Sequence, residues 1–263
     1  MHLCSPETAA ASALTGKITD PRDIASLYDM EYPKFEDPEL HIINEDMLVA
    51  PAEDGSKVTL KKGPNIKSLP HIEALQSDYE VPVLLKMQDN ISTDEILKAG
   101  AEVLPFRSNL PEISKYSYTV IDETFYDRAM ATKEKTGGHI VVAGDNYAQG
   151  SSREHAALAP KYLGQVAVIA KSYARIAWQN LVNFGILPLE FENPDDLDKI
   201  EQGDTVMLKN LRQLVEQRET IEVLIKKETG EVAIPTKHSL SDRQIRVLLK
   251  GGIINDFKEK LSA

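Results

Sequence analysis

The stretch Gly150-Ser151-Ser152-Arg153-Glu154 gathers residue types that can hold an anion. Two hydroxyls and a guanidinium follow a glycine, which lets the backbone come close to a ligand. Arginine can grip a carboxylate through two parallel hydrogen bonds. The spacing Ser151-x-x-Glu154 predicts a capping box, in which the serine oxygen takes a backbone N–H and the glutamate reaches back. A helix start also favours negative charge, because its free N–H groups and its dipole act in the same sense. The chemistry served would be recognition of a carboxylate-bearing molecule. The same spacing also fits a plain capped helix with a solvated arginine, and the residues alone leave both readings open.

The surrounding pattern says how such a loop would be held. Residues 139–143 are a short apolar run between Gly137-Gly138 and Gly144, and 165–170 and 186–191 are two more. Runs of this length bounded by glycine predict buried strands. Between them, 152–163 and 173–183 carry apolar residues at helical spacing. Strand, helix, strand, helix, strand predicts a parallel sheet with right-handed crossovers. Upstream, 81–87 predicts a strand, 89–94 a polar loop, 96–99 a short helix ended by Gly100, and 114–118 and 123–132 helical pieces. Downstream, 195–200 predicts a helix, then 205–208, 211–214 and 220–225 strands of a more antiparallel kind. A last helix over 241–249 is capped by Ser241 and ended by Gly251-Gly252.

The first part of the chain reads differently. Ser5 before Pro6, with Gly16 as a stop, predicts a short alanine-rich helix that needs a packing partner. Residues 17–80 are rich in Asp, Glu and Pro, with only short apolar pieces such as His41-Ile42-Ile43 and Met47-Leu48-Val49. That predicts an extended connector lying on another surface.

Composition narrows the function. Thirty basic against forty-one acidic residues in 263 give a net charge of −11. This argues against general binding to nucleic acid or an anionic membrane, but a few local arginines can still build a pocket for an anion. Cys4 is the single cysteine. It excludes a disulfide within the chain, fits a reducing, cytoplasmic compartment, and cannot by itself hold an iron–sulfur cluster. No apolar run approaches a membrane span, and the first residues lack a signal peptide's basic start and apolar core.

GDNYAQGSSREHAALAPKYLG at 144–164, followed by AKSYARI at 170–176 and NFGILPL at 183–189, resembles the swivel domain of aconitases. Asp89-Asn90-Ile91-Ser92-Thr93-Asp94 and Leu104-Pro105-Phe106-Arg107-Ser108-Asn109 resemble two further motifs of that domain, as do GPNIK at 63–67 and Gly251-Gly252. The likeness runs from Ser5 onward and is greatest to bacterial-type aconitate hydratases, where such a segment forms the C-terminal portion of a longer chain. It implies an α/β fold, a swivelling β/β/α domain with a central parallel βαβαβ unit. It also implies the organisation: a remnant helix of the cluster-bearing portion at 1–16, an extended linker at 17–80 and the swivel domain at 81–263.

The function implied is the substrate-binding, base-supplying part of an aconitate hydratase, which interconverts citrate and isocitrate through cis-aconitate. Its 4Fe–4S cluster would lie outside this chain, on the missing cluster-bearing portion or a separate large subunit, so the chain alone is expected to be inactive. Ser151 matches the catalytic base, and Asp94 matches an aspartate that orients the site through the serine and arginine network. Ser152, Arg153 and Arg107 match contacts to the carboxylates of a tricarboxylate substrate. No metal ligand is expected here. Three features depart from the pattern: Glu95 where aconitases usually carry histidine, Ala148 for a frequent glycine, and Ala177-Trp178 for histidine-arginine. His155 is expected to be structural, and Arg175 to tie down the second helix. Two rivals stand: a small subunit of isopropylmalate isomerase or homoaconitase, and an RNA-binding module of a cluster-free aconitase, which the acidic balance disfavours.

Overall fold

A computed structural model describes residues 2–29, 31, 34, 36–37, 39, 44–227 and 230–262. The chain divides into two compact units, 1–59 and 60–263.

The first unit is built from α1 (Pro6–Thr15) and α2 (Ile24–Tyr28). The Ser5 hydroxyl accepts the Thr8 N–H at 3.1 Å, and Gly16 closes α1 at φ +70°. Both ends are those expected from the sequence. Ala11 is buried, whereas Leu14, Ile18, Met47, Leu48, Val49 and Val58 are exposed. Residues 41–43, an expected apolar piece of the connector, lie outside the described residues.

The second unit runs β1 (Tyr79–Lys86), α3 (Thr93–Ile96), α4 (Leu110–Ile113), α5 (Phe125–Thr136), β2 (His139–Ala143), α6 (His155–Tyr162), β3 (Gln165–Ala170), α7 (Arg175–Asn183) and β4 (Leu187–Phe191). It continues with β5 (Thr205–Leu208), α8 (Leu211–Gln217), β6 (Ile221–Lys227), β7 (Gly230–Lys237), α9 (Asp242–Leu249) and α10 (Ile253–Ser262). β1 to β4 pair in parallel in chain order. The ring then passes antiparallel through β7, β6 and β5 and returns to β1, closing a seven-stranded barrel. The sheet is mixed, parallel from β1 to β4 and antiparallel through β7, β6 and β5, and it closes into a barrel, where the resemblance implied a β/β/α arrangement around a parallel βαβαβ unit.

β2 explains why the apolar runs are continuous. Ile140 and Val142 belong to one buried cluster, and Val141 and Ala143 to another on the opposite face. A strand covered on both faces shows no polar alternation. Residues 211–214, expected as strand, begin α8 instead, because Leu211 and Val215 are both buried one helical turn apart. The box of Ser241 with Gln244 caps α9 as expected, while β7 and α10 had no counterpart in the sequence reading.

The boundary between the units falls inside the expected connector. Leu75 is 2% exposed and packs in the main core. The carbonyl of Leu75 accepts from Arg212 at 2.6 Å, and that of Ile72 accepts from Asn255 at 2.8 Å. These contacts place residues 60–78 with the second unit.

Candidate functional site

Three loops follow the C-terminal ends of β1, β2 and β3, and they are sewn together. Asp145 donates its backbone N–H to the Asp89 carboxylate at 2.7 Å, and Asn90 donates its own to the Asp145 carbonyl at 2.7 Å. A side chain at Gly144 would collide with Asp89, so only glycine allows this approach. The Asn146 amide donates to Asn90 at 3.1 Å and to Gln149 at 3.0 Å, and Gln149 donates to the Asn90 carbonyl at 2.9 Å. The third loop joins through Ser172, which accepts from the Asn146 N–H at 2.8 Å and donates to Asp145 at 2.9 Å. Ligands of parallel α/β sheets characteristically bind beyond the carboxyl ends of the strands.

Four of the five expected site residues meet on this platform. Ser151 donates its backbone N–H to the Thr93 hydroxyl at 3.1 Å. Arg153 donates to the Thr93 carbonyl at 3.1 Å, to the Leu97 carbonyl, and to the Asp94 carboxylate at 2.8 Å. The Ser152 carbonyl accepts from Asn180 on α7 at 3.3 Å. Arg153 is thus an anchor as well as a cation. Three of its five N–H donors are spent on the protein, which leaves two for a carboxylate. Its side chain is 12% exposed, while that of Asp94 is 68% exposed.

The capping box expected at Ser151 does not form. α6 starts at His155, its cap position is Glu154, and no side chain caps it. Residues 151–153 are loop, tied to Thr93 through the Ser151 N–H, and Ser151 and Ser152 are exposed. A capping box occurs instead at Ser92 with Glu95, where the Ser92 N–H reaches the Glu95 carboxylate at 2.7 Å. This gives Glu95 a role: it fixes the short helix that presents Thr93 and Asp94.

Arg107, the fifth residue, follows the 3-10 turn Leu104–Phe106 and is exposed. The His155 ring reaches its carbonyl at 2.8 Å, so the nitrogen facing it carries the proton. Arg107 and His155 line one cleft with Arg153, and Arg153 lines the next with Ser151, Ala148, Ala177 and Asn180. The segment 63–67 joins here through the Lys67 N–H, which donates to the Ser108 carbonyl at 2.7 Å. Sequence reasoning assigned no positioning task to Thr93 or to His155. Thr93 lay in the quoted Asp89–Asp94 stretch, but nothing in the pattern marked its hydroxyl as the Ser151 anchor. Arg175 is exposed at the start of α7, and no ion pair ties it down among the described residues.

The family model for the aconitase C-terminal domain matches residues 83–194, which span the whole of this platform. The mitochondrial aconitate hydratase of Gracilaria gracilis is 32% identical over 97% of this chain and 37% of its own length. The chain belongs to the aconitase family. It spans little more than a third of the length of such relatives, 37% and 36% for the aconitate hydratases of Gracilaria gracilis and Caenorhabditis elegans. The homocitrate dehydratase of Saccharomyces cerevisiae is 35% identical over 76% of this chain and 28% of its own. A solved structure, the 3-isopropylmalate dehydratase of Methanocaldococcus jannaschii, is 29% identical with a TM-score of 0.53, covering 70% of this chain and 95% of that one. These relatives are hydro-lyases, and this is a hydro-lyase family.

Aconitases generally use a 4Fe–4S cluster. The donors of this chain do not fit one. Cys4 is the only cysteine and is exposed, and no three His, Cys, Asp or Glu side chains converge on a metal position among the described residues. Such clusters are held by several thiolates. Among the described residues no helix is long and apolar enough to cross a membrane.

Proposed function

We propose that this chain is the substrate-gripping and base-supplying part of an aconitate hydratase acting on a citrate-class tricarboxylate. Dehydration of such a substrate removes a proton from carbon and a hydroxyl from its neighbour. Ser151 is the base for the carbon-bound proton. A serine hydroxyl is a weak base, and the adjacent Arg153 guanidinium favours its ionised form. Arg107 and the spare donors of Arg153, with the Ser152 hydroxyl, hold carboxylates. Asp94 and Thr93 position Arg153 and Ser151 respectively. The cluster chemistry belongs to residues outside this chain, either a longer polypeptide or a large subunit, so this chain alone is inactive.

The observation that carries this reading is the convergence on α3: Ser151 on the Thr93 hydroxyl at 3.1 Å and Arg153 on Asp94 at 2.8 Å. A plain helix cap would need none of it. The 35% identity to a homocitrate dehydratase supports homocitrate as the rival substrate within the same class. Assaying citrate, homocitrate and isopropylmalate with the enzyme completed by a cluster-bearing partner separates these. Citrate turnover at least tenfold above the other two is expected. Preference for isopropylmalate would overturn the tricarboxylate assignment.

A further inference from the structure

The opposite end of the same strands carries a second cavity. Gly137, Gly164 and Gly185 stand just ahead of β2, β3 and β4, whereas the loop platform follows the strands' far ends. Strands of five or six residues separate the two by roughly 17–20 Å. The cavity is about 150 Å³, smaller than a drug-sized site and suited only to a short molecule. Leu110, Leu158 and Val166 give it an apolar wall, and Lys133 and Lys161 enter from α5 and α6.

Both lysines are committed to backbone carbonyls, and among the described residues neither pairs with a carboxylate. Lys161 donates to the Gly185 carbonyl at 2.7 Å, and Lys133 donates to the Tyr162 carbonyl at 2.5 Å and lies 4.9 Å from the centre of the Tyr162 ring. An ammonium has three donors, so each keeps two. Burial, and then the neighbouring Lys133, bring the Lys161 pKa down to about 8, against a smaller opposing pull from Glu73. Burial lowers that of Lys133 as well. Both lysines line the cavity and burial disfavours the charge of each, which an anion bound there would relieve.

We propose that this cavity is a second binding site, for a small carboxylate with a short apolar body, held between Lys133 and Lys161 with its chain against Leu110, Leu158 and Val166. It is separate from the loop platform and does not depend on the reaction assigned there.

Hexanoate, hexanol and inorganic phosphate, titrated separately into the whole chain and followed by amide NMR, test it. Hexanoate is expected to give saturable shifts centred on Gly137, Leu158 and Gly164, with hexanol and phosphate at least about tenfold weaker. Lys133→Met and Lys161→Met should each weaken hexanoate by about tenfold or more, while Ser151→Ala leaves it unchanged. Absence of saturable hexanoate shifts at these residues overturns the proposal. So does hexanol binding as tightly, which means an apolar cavity only, or phosphate binding as tightly, which means the apolar wall plays no part. Hexanoate affinity unchanged in folded lysine variants overturns it too. The three-ligand comparison uses the unaltered chain, so a variant that fails to fold does not leave the question open.

Discussion

Arg153, on the loop after β2, meets Asp94, on α3 after β1, at 2.8 Å, and the same guanidinium donates to the Thr93 and Leu97 carbonyls. One side chain therefore ties two loops whose sequence positions are 59 apart. The carbonyls are the buried part of this grip and Asp94 the exposed part. Arg153→Lys should cost about 1–3 kcal/mol, because lysine cannot satisfy both carbonyls and the carboxylate. Asp94→Asn should cost no more than about 1 kcal/mol, as an exposed ion pair contributes little. Urea unfolding measures both. Equal losses would make the carboxylate, not the carbonyls, the main tie.

Ala148 sits at φ +60°, a left-handed conformation that alanine adopts only with strain, and it is 4% exposed. Glycine at this place would relax it. Ala148→Gly should therefore raise stability by about 1 kcal/mol in spite of glycine's greater chain entropy when unfolded. Calorimetry should show a higher melting temperature; a lower one would mean that the alanine methyl's packing outweighs the strain.

His139 is fully buried with both ring nitrogens unpartnered among the described residues, and burial holds its pKa down to about 3. Its folded value is below the ordinary 6.5, so the unfolded chain binds a proton that the folded chain refuses. Stability is then full above about pH 6.5 and falls as pH drops towards 3, by at most about 1.4 kcal/mol per unit from this group. His139→Leu should flatten the stability profile between about pH 6 and 4 relative to the unaltered chain. An unchanged slope would assign acid sensitivity to other groups.

Among its described residues the first unit leaves most of the large apolar side chains in solvent, whereas Leu75 and Ile72 are buried in the second. Hydrogen exchange should show weak protection over described residues 2–59 and strong protection from about 72 onward, since local opening follows buried contacts. Strong protection in both units alike would mean that residues 2–59 are covered by a second copy or a partner.

The elements that were legible in the sequence are those whose signal is local. Ser5, Pro6 and Gly16 marked both ends of α1, and Gln165–Ala170 was bounded as a strand by its own apolar run and its glycine. The closure of the sheet was not legible, because it depends on Tyr79–Pro82 pairing with Thr205–Leu208 across more than a hundred residues. At the site, the loop motif pointed to Ser151, Ser152 and Arg153, but the capping reading failed because the Thr93 hydroxyl competes for the Ser151 N–H. A hydroxyl arriving from another strand's loop leaves no trace in i-to-i+3 spacing. The same holds for His155 and Arg107, which are 48 residues apart in sequence.

The central claim is that Ser151 is a base and Arg107 a binding residue, and steady-state kinetics of the completed enzyme test it most directly. Circular dichroism first establishes that Ser151→Ala and Arg107→Lys are folded. Ser151→Ala should then lose turnover while KM stays nearly unaltered, because a base acts on the transition state more than on ground-state binding. Arg107→Lys should instead raise KM by roughly ten- to hundredfold, the weight of a charge-assisted hydrogen bond of about 1.5–3 kcal/mol. A folded Ser151→Ala enzyme that keeps near-original turnover contradicts the account.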